Sequence, residues 1–347
     1  MMKKNLMRTV ALFAAMVMLT FALSSCDGGS ASPVGSAGTE NSGETYTLKI
    51  ANQWADSSVH TRMFTEVFIP RVEELSNGQI TCEFYGNNSL GNEIDQLAQL
   101  QIGTLQMAIL SEQSSSLDPG NLQIPCLPYL FESEAHWDAV MDGEIGEQIV
   151  AGMVSSGVRT LGITENGYRV MTNNVHPINT PSDIKDLKMR VSSNETYLDT
   201  FATLGASCQS MTIGECYSAL ETGSCDGQDN AYNTILSARI YEVQKYLANT
   251  NHVLGTMYLA VSDSWYQSLP EELQAAVQTA ATEACQWQRE TYRELAEQDH
   301  QALLDAGLQE TNPDLELFKE AAEPVYDHFF EKYPETEEIV EAIRAMA

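Results

Sequence analysis

From Tyr46 onward the chain alternates two hydrophobic periods, and this restricts the possible fold more than any other feature. YTLKIAN, Tyr46 to Asn52, carries apolar residues at every second position, as a half-buried strand does. The next stretch, Ser57 to Leu75, places His60, Met63, Phe64, Val67, Phe68, Val72 and Leu75 on one helical stripe, with a kink expected at Pro70. A turn at Ser76 to Gly78 leads into QITCEFYG, a second strand. The rhythm continues through a helix at Ile94 to Ile102, a strand at Met107 to Leu110, a helix from His136 to Met153, and strands at Arg159 to Ile163 and Arg169 to Thr172. Strands separated in this way by helices predict an α/β sheet.

A second block opens with PINTPSDIKDL, where Ser182 is a candidate cap for a short turn. A strand at Lys188 to Val191, helices at Tyr197 to Leu204 and Ile213 to Glu221, and a strand near Asp226 follow, and Met257 to Val261 is a returning strand. Ser268-Leu269-Pro270-Glu271 reads as a capping box that starts a helix running to Ala306. At 1.5 Å per residue that helix is about 55 Å long. This exceeds the width of one small domain, so the helix is expected to cross two lobes. No heptad repeats cleanly enough for a coiled coil.

Ahead of this body, Lys3, Lys4 and Arg8 precede an apolar run from Val10 to Leu23, too short for a membrane-spanning helix. The run closes on Leu23-Ser24-Ser25-Cys26, which resembles a bacterial lipobox and marks Cys26 for lipidation. Residues 1–26 are therefore expected to be a lipoprotein signal peptide. The Gly- and Ser-rich residues 27–45 form a flexible tether that would hold the body about 20–25 Å from the lipid. With 48 acidic against 18 basic residues the net charge is −30, which argues against nucleic acid as a partner. The six cysteines after Cys26 show no zinc spacing; packed thiols and disulfides both stay open.

Catalytic templates are missing: there is no P-loop, no G-x-G-x-x-G after a strand, no H-E-x-x-H and no G-x-S-x-G. No enzymatic activity, cofactor or metal is expected. Arginine placement is the chemical signal. Arg169 in NGYRVMTNN and Arg190 in LKMRVSS sit at strands among apolar neighbours, where an unpaired guanidinium is costly. A carboxylate ligand held bidentately would satisfy them. So would an internal salt bridge to Asp183, Asp186 or Glu195, and spacing does not separate the two.

Several motifs in fixed order resemble the DctP-like solute receptors of tripartite ATP-independent periplasmic (TRAP) transporters: ENGYR…TNN, TPSDIKDLKMRV, SMTIGECYSALETGSCDGQDN and IYEVQKYLANTNH, flanked by NNSLGNEIDQLAQLQIGTLQMAI, IPCLPYLFES and SLPEELQAAV. The resemblance implies a two-lobed, periplasmic-binding-protein-like (type II) α/β fold braced by the long helix. Residues 46–166 and 256–295 would form the first lobe, and residues 167–255 and 296–347 the second. It gives Arg190 the role of principal carboxylate clamp, with Arg169 assisting and Asn230 bonding the same ligand. It also places Glu93, Gln53, Trp54 and Tyr217 on segments lining the pocket. It further implies a monomer outside the cytoplasm, anchored by lipid to the outer face of the cytoplasmic membrane, that delivers an organic acid to membrane permease subunits. Departures from the pattern are Asp229 and Ala231 for the usual Glu and Pro, Asp186 for Gly, Ser192 for Pro, and Cys216 and Cys225, which favour packed thiols.

Glu93 and Asp95 offer acceptors, and Ile94 stands where some relatives carry arginine, so a sugar acid such as a hexuronate is expected. The alternatives are a C4-dicarboxylate, with Arg62 as second cation, or a ligand-binding sensor lipoprotein.

Overall fold

The computed structural model describes residues 44–347, so the signal peptide, Cys26 and nearly all of the tether lie outside the described residues. Eleven strands form two sheets: β1 (Tyr46–Ala51), β2 (Ile80–Tyr85), β3 (Met107–Leu110), β4 (Val158–Tyr168), β5 (Val170–Asn173), β6 (Lys188–Val191), β7 (Ser207–Ser210), β8 (Gly227–Asn230), β9 (Tyr246–Ala248), β10 (Leu254–Ser262) and β11 (Gln309–Thr311). The first sheet has the order β2-β1-β3-β10-β4 and the second β11-β9-β5-β8-β6-β7. This is the two-lobed α/β architecture expected from the resemblance.

Both faces of the first sheet are buried, which is why MAIL and LGTMYLAVS read as nearly continuous apolar runs. Leu48, Ile50, Met107, Ile109, Met257, Leu259 and Val261 pack on one face under the helical segment 59–75 and the long helix. Ala51, Ala108, Leu110, Tyr258 and Ala260 point to the other. That second face is closed partly by Val325, Tyr326, Phe329, Ile339, Val340 and Ile343, from the C-terminal helices Pro324–Lys332 and Glu337–Arg344. Sequence reasoning put residues 296–347 with the second lobe. β11 and Phe318 do lie there, but 324–344 return to the first, because its exposed apolar sheet face needs a cover.

The long helix, Glu271–Asp305, is unbroken over 35 residues. Its alanines 280, 281 and 284 let it press onto the first sheet, while Leu303 is buried in the second lobe's core. Contact is so close that a Cβ on Gly162 would lie 2.6 Å from Cys285 Sγ. The expected capping box does not form. Ser268 ends a short helix and donates to Trp265 O, and Pro270, with its preset φ, opens the long one. Pro70 stands in the first turn of the helix Ile69–Leu75, where a missing N–H is tolerated, directly after a π-helical stretch, Met63–Phe68. Two further local expectations are revised. Gly143 divides the segment expected to be one helix over 136–153. Thr180, paired with Asp183, caps the turn assigned to Ser182.

All six described cysteines are free thiols. Burial raises the pKa of Cys126, Cys216 and Cys285, as expected of packed, unreactive side chains.

Candidate functional site

The cleft lies where the chain leaves the carboxyl ends of β1, β3, β6 and β8, the usual position for a ligand in open α/β sheets. Gln53 and Trp54 follow β1, Ser111, Glu112 and Gln113 follow β3, Arg190 and Ser192 come from β6, and Asn230 closes β8. Arg169 joins them from the crossover between β4 and β5. The chain passes the long helix there through Gly167 at φ +67, where a Cβ would collide with Tyr292 at 2.7 Å. Together these residues enclose a cavity with about 310 Å³ of empty volume, its mouth included.

Two guanidiniums are almost fully buried in this wall, and their circumstances differ. Arg169 is 1% exposed; its Nε donates to Asp229 Oδ2 at 2.6 Å, its Nη2 to Asp229 O at 2.8 Å, and its plane lies 4.9 Å from the Tyr197 ring centre. Burial opposes charge on both partners, but their mutual attraction outweighs it. The guanidinium is held charged, and the Asp229 carboxyl sits well below the usual carboxylate range, helped by His252 Nε2 at 3.3 Å. The internal partner of Arg169 is thus Asp229, none of the three acids considered from sequence.

Arg190 is 2% exposed and pairs with no carboxylate among the described residues. Its Nε and Nη2 both donate to Met211 O, at 3.1 and 2.7 Å, which fixes the plane of the fork and leaves Nη1 to the cavity. Asn230 is held by a relay in which its Nδ2 donates to Gln228 Oε1 at 2.7 Å and Gln228 Nε2 donates to Thr172 Oγ1 at 2.9 Å. Glu112 lines the same cavity, and its carboxylate has no hydrogen-bond partner among the described residues. One free cation and one free anion therefore face one small space.

Residues 50–333 match the family model for bacterial extracellular solute-binding proteins, family 7, the DctP family. The chain belongs to that family. It is similar to a solute-binding protein of Chromohalobacter salexigens, 30% identical over 86% of this chain and 90% of that one. It is also similar to the 2,3-diketo-L-gulonate-binding periplasmic protein YiaO of Escherichia coli, 29% identical over 78% and 84%. Among solved structures it resembles a TRAP periplasmic solute binding protein of Chromohalobacter salexigens with bound D-glucuronate. That likeness has a TM-score of 0.83 and 30% identity, and it covers 86% of this chain and 100% of that one. Among the described residues no helix of this DctP-family chain is long and apolar enough to cross a membrane, and no cluster of metal-ligating side chains occurs.

Not every residue singled out from sequence faces the cavity. Tyr217 stands farther out, in the mouth, and its hydroxyl reaches Glu242 at 3.3 Å. Asp95 is spent on its own helix, where it forms a capping box with Asn92. Arg62 pairs with Glu66 and lies over Trp287, so it is no second cation for the cleft. Glu93 is turned behind the wall. It accepts from Ser111 N at 2.7 Å, Ser111 Oγ at 2.6 Å and Gln53 Nε2 at 2.9 Å, and so positions residues that do face the ligand space. Sequence reasoning missed Glu112, Ser111 and Gln113. The polar run SEQSS directly after a fully apolar strand was the available signal, because such a run marks the carboxyl end of a buried strand.

Trp54 is set by a second network. It packs 4.7 Å from buried His60, which donates from Nε2 to Asn166 Oδ1 at 3.1 Å and accepts at Nδ1 from Gln288 Nε2 at 3.3 Å. Burial lowers the His60 pKa to about 4, so the ring stays neutral in this role. Asn166 Oδ1 also accepts from Thr234 and Tyr292, which ties the cavity wall to both lobes and the long helix.

Burial and then the nearby Glu112 raise the Glu93 pKa from 4.5 to about 8. Below that the carboxyl is neutral and needs an acceptor. Ser111 Oγ, 2.6 Å from Glu93 Oε2, supplies one by turning its hydroxyl to accept. The folded state keeps this proton up to about pH 8 while the unfolded chain releases it near 4.5, so stability from this group falls as pH rises across that window. Thermal melts should show the wild type losing stability relative to Glu93→Gln between those limits. A constant difference between the two proteins would show that Glu93 is already ionised.

Proposed function

We propose that this DctP-family protein is the extracytoplasmic receptor of a TRAP transporter and binds a sugar acid, such as a hexuronate, for delivery to the membrane permease. The observation that carries this reading is the pairing pattern in the cavity: among the described residues Arg190 has no carboxylate partner, and the Glu112 carboxylate has no donor. A monocarboxylate lying on the Arg190 fork satisfies the first, and ligand hydroxyl groups satisfy the second. Asn230 and Arg169 complete the carboxylate site, Arg169 being kept in place by Asp229. Gln53 and Trp54 wall the sugar, with Glu93 supporting them from behind and Tyr217 at the mouth. The bound D-glucuronate of the Chromohalobacter structure and the 2,3-diketo-L-gulonate named for the Escherichia coli relative are ligands of the same class.

A C4-dicarboxylate fits less well. Its second carboxylate would share the cavity with Glu112, and the remaining buried guanidinium is already neutralised by Asp229. Calorimetry against glucuronate, galacturonate, succinate and malate tests the ranking. The hexuronates should bind stoichiometrically and tighter than either dicarboxylate, and Glu112→Gln should narrow the gap by removing the repulsive charge. Tighter binding of succinate or malate would reverse the assignment, and silence across a broad organic-acid panel would end the receptor reading. Cleavage and lipidation at Cys26 would hold the receptor, as a monomer, at the outer face of the cytoplasmic membrane beside its permease. Fatty-acid labelling that persists in Cys26→Ala would exclude this anchor.

A further inference from the structure

The arginine-floored cavity does not end at Trp54. Gln53, Trp54, Ile213 and Thr234 also line a second, outer chamber with about 660 Å³ of empty volume, open to solvent. The two spaces are consecutive parts of one cleft, and the outer one is the larger. Its remaining wall comes from both lobes, with Ala55, Asn87 and Asn88 from the first and Gly214, Tyr217, Ser237 and Ala238 from the second.

The chemistry of that wall is unusual for this chain. In a protein with a net charge of −30, no charged side chain among the described residues lines the outer chamber. It offers instead two aromatic rings, three side-chain amides and three hydroxyls, the mixture of flat apolar surface and uncharged hydrogen-bonding groups that suits a neutral sugar. Asn88 contributes its side-chain amide to this wall, beside Gly214.

We propose that the ligand class of this receptor extends to acidic disaccharides, a uronate joined to a neutral sugar. The uronate carboxylate rests on Arg190, and the neutral unit fills the outer chamber between Trp54 and Tyr217. The inference rests on the sugar-acid reading of the inner cavity and deepens it. A free hexuronate reaches out from Arg190 past Trp54 but fills less of the outer chamber than a disaccharide does, and leaves the rest to water. A neutral second ring meets uncharged partners from both lobes, so both the ring and the carboxylate favour the closed arrangement. A second uronate in that place would find no cation, so the neutral partner is preferred over a diuronate.

The test is calorimetry on the full chain with glucuronate, galacturonate, digalacturonate and a set of aldobiouronates differing in linkage. At least one aldobiouronate should bind ten times tighter than the free uronate or more, and tighter than digalacturonate. Asn88→Ala should remove a large part of that advantage. Ser237→Phe, which fills the chamber, should abolish it. Both variants should bind the free uronate within twofold of the parent, which also shows that they fold. If the free uronate binds and every disaccharide is weaker or equal, the outer chamber is only a vestibule and this inference falls while the sugar-acid reading stands. Failure of the uronates and all disaccharides together would bring down both.

Discussion

Arg190→Lys is expected to weaken ligand binding by about 2–4 kcal/mol, roughly 30- to 900-fold, the largest loss of affinity foreseen for a change of one side chain that keeps its charge. The wild-type guanidinium spends Nε and Nη2 on Met211 O, and that double bond sets the plane in which Nη1 reaches the cavity. An ammonium cannot hold the carbonyl and present a flat fork to a carboxylate at once. Calorimetry with the preferred uronate measures the loss, and circular dichroism confirms that the variant is folded. Binding within threefold of the parent would place the carboxylate elsewhere in the cleft.

Asp229→Asn should produce the largest change in stability. Arg169 is 1% exposed and, among the described residues, its only charged partner within salt-bridge reach is Asp229, so neutralising that carboxylate leaves a buried cation uncompensated. Breaking such a pair costs about 3–5 kcal/mol, which for a chain of this size lowers Tm by roughly 5–8 °C. Asp229→Glu keeps the charge and should recover most of the loss, separating electrostatics from packing. The effect has a definite pH dependence. Because the folded Asp229 carboxyl lies below its ordinary range, its contribution is present above the unfolded carboxylate pKa and disappears as pH falls through the folded one. The gap between wild type and Asp229→Asn should therefore narrow in strong acid. Equal melting temperatures at neutral pH would mean that the pair adds nothing to folding.

Much of the architecture could be read before any tertiary contact was known. The alternation of strand and helix after Tyr46 and the uninterrupted helical stretch after Pro270 are local signals, and both elements occur close to where periodicity put them. The short strands β7, β9 and β11 were missed, because SCQS and QET carry almost no apolar residues and YLA is too short to show a period. One interruption was not foreseen: Gly143 divides a stretch whose apolar spacing looked continuous.

The candidate site divides along the same line. That Arg190 and Arg169 needed anionic company followed from the sequence alone, since a guanidinium among apolar strand residues cannot be buried unaccompanied. Which company each keeps was decided in three dimensions. Antiparallel pairing of β5 with β8 sets Met171 against Asp229 and Val170 against Asn230, and this register brings Asp229 to Arg169 across 60 residues of chain. β6 has no acid at the equivalent place, so Arg190 is left with a backbone carbonyl and an open cavity. The inward turn of Glu93, the exposure of Glu112 to the ligand space and the return of the C-terminal helices to the first lobe are of the same kind. A residue's chemistry and its local period are written in its neighbours along the chain, whereas its charge partner and its solvent access depend on which distant segment the sheet register places beside it.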